Sequence, residues 1–230
     1  MTTLDLSKFD WIAIGSLIIS LLSFIYTFTK TRKTINVTWD DNLIENPPDS
    51  TFIIDPNGKT PTFTHVLTGS ISIVNPSSTD ISYFDLRMFD PLSNLNVEII
   101  TKKTVQPYIK SKNIYQFLDN QYDRFQQMDV PERKFGILKS NSYTKIDVIG
   151  DFDVLPEKMS NVEKLTASFK IPKRAIFKDR YAITNRKKFK YYSKTYDITG
   201  WKARWQSMIK EQQQMILKAK KDVQNKQQEQ

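Results

Sequence analysis

The sequence predicts an all-β protein with an N-terminal transmembrane helix, an immunoglobulin-like two-sheet β-sandwich and a C-terminal amphipathic helix. Three patterns in its 230 residues carry that expectation. Residues 11–28 hold no charge. Residues 34–198 alternate apolar and polar side chains in runs broken by Pro, Asn, Asp and Ser. From Trp201 onward the apolar spacing changes from two to three and four. The chain therefore divides into a leader (1–10), a span (11–29), a sandwich (34–198), a helix (199–223) and a disordered tail (224–230).

The first element, WIAIGSLIISLLSFIYTF, would reach about 27 Å as a helix, close to the hydrocarbon thickness of a bilayer. Trp11 and Tyr26 stand near its ends, where amphipathic rings favour the headgroup level. A cleaved signal peptide would have a basic leader and a small-residue cleavage site. This leader is MTTLDLSKFD, and the run ends in Tyr-Thr-Phe-Thr-Lys, so the sequence predicts a retained anchor in contact with a lipid bilayer over 11–29. Lys8 alone precedes the run and Lys30, Arg32 and Lys33 follow it, which predicts a cell-membrane protein with its N-terminus outside and its C-terminal domain cytoplasmic. Ala13, Ser16, Ser20, Ser23 and Thr27 form one small-residue stripe. Such a stripe suits close helix packing in a homodimer, or hydroxyls bonded to their own preceding carbonyls; both readings stand.

Strands follow in order. Ile35, Val37 and Trp39 alternate with polar residues, and NPPDS and DPNGKTP read as turns. In FTHVLTGSISIVN, Phe63, His65, Leu67, Gly69, Ile71 and Ile73 share a face. Phe84, Leu86 and Met88 share the next, then Leu95, Val97 and Ile99. Later strands are expected at 146–148, at Leu165–Ile171 and in KFKYYSKTY, with a short helix over Ile114–Phe125. Trp201, Trp205, Met208, Gln212, Met215 and Ala219 then step by four and three, with Ile209, Ile216 and Val223 beside them. This stripe, through Trp201, Trp205, Met208 and Met215, is a candidate interaction surface. It either lies across the sandwich or pairs with a second copy.

The net charge of +9 is unevenly spread. Residues 34–160 carry 12 Lys/Arg and 17 Asp/Glu, whereas residues 161–230 carry 18 and 6. Lys173, Arg174, Lys178, Arg180, Arg186, Lys187, Lys188, Lys190 and Lys194, interleaved with Phe and Tyr, form a candidate anionic-surface site. Anionic lipid headgroups would meet it through charge, and nucleic acid, the less favoured partner, through charge and stacking. The plain alternative is a solvated face that balances the acidic half of the same domain.

Enzyme chemistry finds little support. Six glycines form no phosphate-binding loop, no cysteine is present for thiolate chemistry, and the lone histidine, His65, has no second imidazole with which to build a zinc site. On an apolar strand face His65 reads as a core residue. Asp40, Asp41, Asp151 and Asp153 are the remaining carboxylate candidates, and Asp151 with Asp153 would share a strand face as a D-x-D metal pair does. An ordinary solvated strand face is the favoured reading, since nothing nearby supplies further ligands, so no catalytic residue, metal, cofactor or small-molecule substrate is implied.

The order W-I-x-I-x-S-x-x-I-S-x-x-S-F-x-Y-T, followed by Lys30-Thr31-Arg32-Lys33 and a strand, resembles uncharacterised single-pass membrane proteins of Gram-positive bacteria and their prophages, over residues 9–39. The resemblance implies membrane location and a bacterial or phage source, and no activity. The sequence as a whole therefore reads as a membrane-tethered, non-enzymatic interaction or adaptor protein. An anionic-lipid or nucleic-acid binding module using 170–194 is the first alternative, and an enzyme with an unfamiliar carboxylate site the second.

Overall fold

In the computed structural model, residues 11–30, 34–56, 60–105, 109–118, 124–153, 161–173 and 189–228 are described, with backbone alone for 28–30, 219 and 222–228. Two helices, α1 (Trp11–Lys30) and α2 (Trp201–Gln228), flank a body made of strands. The strands are β1 (Asn36–Trp39), β2 (Ile44–Glu45), β3 (Thr51–Ile53), β4 (Thr62–Phe63), β5 (Val66–Asn75), β6 (Ile81–Phe89), β7 (Asn96–Ile100), β8 (Ile114–Phe117), β9 (Phe125–Gln127), β10 (Gly136–Leu138), β11 (Ser142–Asp151), β12 (Lys164–Pro172) and β13 (Phe189–Asp197).

The longest strands organise the rest. β5 and β11 pair antiparallel from Asn75↔Ser142 to Val66↔Asp151, and β1 lines the free side of β5. β6, β12 and β13 form a second layer, and β7 turns the corner: Val97 pairs with Met88 of β6 while Ile100 pairs with Ile149 of β11. The resulting order is β1-β5-β11-β7-β6-β12-β13, with β2 on β5 and β10 on β6. The two edges approach each other, because Lys194 Nζ on β13 lies 3.3 Å from Asp41 Oδ1 just after β1, and the Trp39 and Phe169 rings are 5.9 Å apart. The sheet is thus nearly closed into a barrel around Leu67, Ile71, Ile73, Ile146 and Val148 from one layer and Leu86, Met88, Leu165, Ala167, Phe169 and Ile171 from the other. Burying each of the larger of these side chains contributes roughly 1.5–3 kcal/mol.

A separate four-stranded sheet, β4-β3-β8-β9, covers the outer face of β11. Ile53, Ile114, Met128 and Val130 pack there against Val66, Ile100 and Ile149. Residues 146–150 are consequently buried on both faces of their strand. Gly69 has a packing role, since a Cβ there would lie 2.7 Å from Leu43 Cδ2.

Several expectations are corrected. The fold is a near-barrel plus a second sheet rather than an immunoglobulin-like sandwich. Residues 114–125 contain strand (β8, and the start of β9) where a helix was expected, with 119–123 outside the described residues. Phe84 is not on the face of Leu86 and Met88. Asp85 adopts φ 56°, the pairing of β6 with β12 slips between Ser168 and Lys170, and this bulge turns Tyr83 inward and leaves Phe84 36% exposed. The helix α2 continues to Gln228, past the expected end at 223.

The transmembrane span is also corrected, and with it the single-pass cell-membrane placement and its orientation. Among the described residues, no helix is long and apolar enough to cross a membrane. Gly15, Ser16, Ser20, Ser23 and Thr27 interrupt the apolar surface of α1. In the small-residue stripe, Ser16 Oγ donates to the carbonyl of Ala13, 2.8 Å away, the local bond expected if hydroxyls serve their own helix.

Candidate functional site

The start of α2 is fixed by local chemistry. The N–H of Thr199 donates to Asp197 Oδ1 at 2.8 Å, and hydrogen bonds from the Thr199 side chain and backbone hold that carboxyl below its usual range. Gly200 takes φ +76°, open to glycine without steric cost, and its carbonyl accepts the first helical bonds from Ala203 and Arg204. The chain thereby turns out of β13 and lays the first three turns of α2 on the body.

Three anchors hold those turns. Trp201 is buried, its Nε1 donates to the carbonyl of Val162 at 2.9 Å, and its ring meets Phe152 edge-on. Trp205 stacks on His65, centroids 4.2 Å apart. Arg204 grips Glu45 on β2 with Nε and Nη2, and its Nη1 donates to the Thr199 carbonyl at 2.6 Å. Two turns further, Gln212 Nε2 donates to the carbonyl of Pro48 at 3.2 Å. Two clefts flank the helix and share Met208 as a wall. One is about 780 Å³, bounded by Leu43, Glu45, Thr199, Arg204 and Ser207. The other is about 420 Å³, with Asn46, Ser50, Gln116, Phe117 and Gln126 around it.

Beyond Gln212 the helix faces change character. Met215, Ile216 and Leu217 are 50%, 49% and 58% exposed. The predicted stripe is therefore split: Trp201, Trp205 and Met208 turn to the body, and Met215 turns away from it.

His65 sits beneath the anchor. Its N–H approaches Asp153 Oδ2 at 3.3 Å, its Nε2 has no hydrogen-bond partner, and burial pulls its pKa down to about 4. It is thus a neutral ring at pH 7, shaped to receive Trp205. Asp151 and Asp153 do not form an outward D-x-D pair. Asp153 N–H donates to Asp151 Oδ1 at 2.9 Å, Asp153 Oδ2 receives Thr64 and His65, and burial pushes the Asp151 carboxyl up. Among the described residues, no group of three His, Asp or Glu is placed to hold a metal. Asp40 Oδ2 accepts from the Ser70 N–H at 2.6 Å, and Asp41 pairs with Lys194. Burial, helped by those two carboxylates, pushes the Tyr196 hydroxyl up to about 12.

Of the predicted basic site, Arg174, Lys178, Arg180, Arg186, Lys187 and Lys188 lie outside the described residues. Lys173 is exposed, Lys190 is on β13, and Lys194 is tied to Asp41 across the barrel seam. The stripe residues Ala13, Ser16, Ser20, Ser23 and Thr27 are all exposed along α1. The Glu45–Arg204 grip had no signal in the sequence, because its members stand 159 positions apart.

No protein-family model matches the chain, and no curated protein matches it. Among solved structures, the yjhA protein from Bacillus subtilis is similar with a TM-score of 0.35 and 11% identity, over 72% of this chain and 94% of that one. A likeness at that level carries no functional argument.

Proposed function

We propose that the protein is a non-enzymatic interaction module whose β body holds α2 in a fixed direction and presents its distal half to a second copy of the chain. The observation that carries this reading is the division of one helix: its first turns are fastened by Trp201, Trp205 and Arg204, while Met215, Ile216 and Leu217 stand exposed. The distal sequence is self-complementary. Beyond Gln212, Ile216 and Val223 stand seven residues apart beside Met215, and β-branched residues at that interval suit a parallel two-stranded pairing. A pairing of identical faces closes after two copies, as a two-fold dimer does.

Because the chain has no cysteine, the test is clean. The full chain carrying Ile216→Cys is expected to form a disulfide-linked dimer under mild oxidation, whereas Lys202→Cys, exposed on the anchored turns, is expected to stay monomeric. Equal crosslinking of the two variants, or none of Ile216→Cys, would overturn the proposal.

A further inference from the structure

The outward face of the β6–β12–β13 layer carries polar groups that the packing leaves unanswered. Arg87 is the register partner of Ser168, and Ser168 of Ser193, so the three stand in one row across three strands. Cross-strand partners of this kind have Cβ atoms only about 5 Å apart. Ser168 is completely buried although it faces away from the barrel core, and its hydroxyl has no hydrogen-bond partner. Arg87 is half-buried. Its Nε is likewise closed to solvent and without a partner, and its guanidinium rests 4.2 Å above the Phe89 ring. Buried donors without acceptors are uncommon because each forfeits its hydration. Two of them on adjoining strands are placed to serve one acceptor.

The neighbouring charges restrict what that acceptor is. One step along the face, the bulge at Asp85 brings its carboxylate onto the Lys170 ammonium, which also lies 4.8 Å from the Phe189 ring. Lys170 is therefore neutralised in place, and the row offers one uncompensated positive charge, on a planar fork with a hydroxyl beside it. A monoanion with two coplanar oxygens fits this; a phosphate dianion would call for a second free cation.

We infer that Arg87 and Ser168 form a binding site for a small monocarboxylic acid with an apolar body. The carboxylate takes the Nε edge of Arg87 and the Ser168 hydroxyl, and the apolar part lies against the aromatic side chains of the same face. Both donor atoms are closed to solvent, so entry requires the Arg87 side chain to lift from Phe89.

The experiment follows the Nε–H resonance of Arg87 in the isotopically labelled full chain while benzoate, acetate or inorganic phosphate is added. Benzoate is expected to shift that resonance saturably, acetate more weakly, and phosphate at the same concentration not at all. Ser168→Ala is expected to weaken benzoate about tenfold, the worth of one charge-assisted hydrogen bond. Arg87→Lys, which keeps the charge and removes the fork, is expected to weaken it at least as much; its binding is followed by calorimetry. A wild-type titration without saturation, a stronger response to phosphate than to benzoate, or unchanged affinity in a natively folded Arg87→Lys chain would each overturn the inference.

Discussion

His65 shows how one side chain can couple the body to its helix. The ring is almost fully buried between Phe152, Trp201 and Trp205, and burial lowers its pKa from 6.5 to about 4. In the unfolded chain the imidazole takes up a proton below pH 6.5, whereas the folded protein resists doing so until about pH 4. The stability it contributes is therefore complete above pH 6.5 and is lost as pH falls through that window, by about 3 kcal/mol in total. Asp151 acts in the opposite sense, since a carboxyl pushed up by burial holds its proton more tightly when folded. Replacing His65 by Phe is expected to flatten the dependence of unfolding free energy on pH between 6.5 and 4. An unchanged slope would assign the effect to other groups. In the sequence His65 reads as a core residue, and its burial agrees; its unpartnered Nε2 and its role as the seat of Trp205 were not legible, because they depend on a residue 140 positions later.

Among the elements, legibility tracked strand length and regularity. β12 could be read directly, because Leu165, Ala167, Phe169 and Ile171 alternate without a break and all four face the barrel core. β6 could not, because Asp85 in a left-handed conformation resets the alternation within a single strand. The second sheet was hidden for a different reason: its strands are two to four residues long, and such segments offer at most two apolar residues per face. The tie between the two sheets is Asp147, buried on the outer face of β11. It accepts from the Asp129 N–H at 2.7 Å and from Ser70 Oγ at 2.5 Å, with Lys145 Nζ 3.1 Å away. Asp147→Asn keeps the shape but replaces one acceptor by a donor, so at least one of these bonds must fail. The expected cost is about 2 kcal/mol, read as a lower midpoint of denaturant unfolding. An unchanged midpoint would show that these side-chain bonds add nothing to the apolar contact and to the backbone bond from the Asp147 N–H to the Asp129 carbonyl.

At the scale of the whole molecule, the uneven charge of the sequence resolves in part into contacts between distant segments. Lys194 meets Asp41, Arg204 meets Glu45 and Lys170 meets Asp85, so basic residues of the last third answer carboxylates of the acidic middle. Those pairs help close the barrel seam and seat the helix. Exposed pairs of this kind contribute about 0–1 kcal/mol each, so apolar burial remains the larger stabilising effect. The apolar opening of the chain, which suggested a membrane span, forms α1, and among the described residues no helix is long and apolar enough to cross a membrane. What distinguishes the molecule as a whole is a nearly closed β body from which one helix departs, fastened at its root and bare further out. The most direct measurement is the dipolar coupling between spin labels placed at Lys220→Cys in the full chain. Pairing of two copies along distal α2 gives a single short inter-copy distance that disappears when Ile216 is replaced by Glu. A label that reports no neighbouring spin, or a short distance that survives Ile216→Glu, would contradict it.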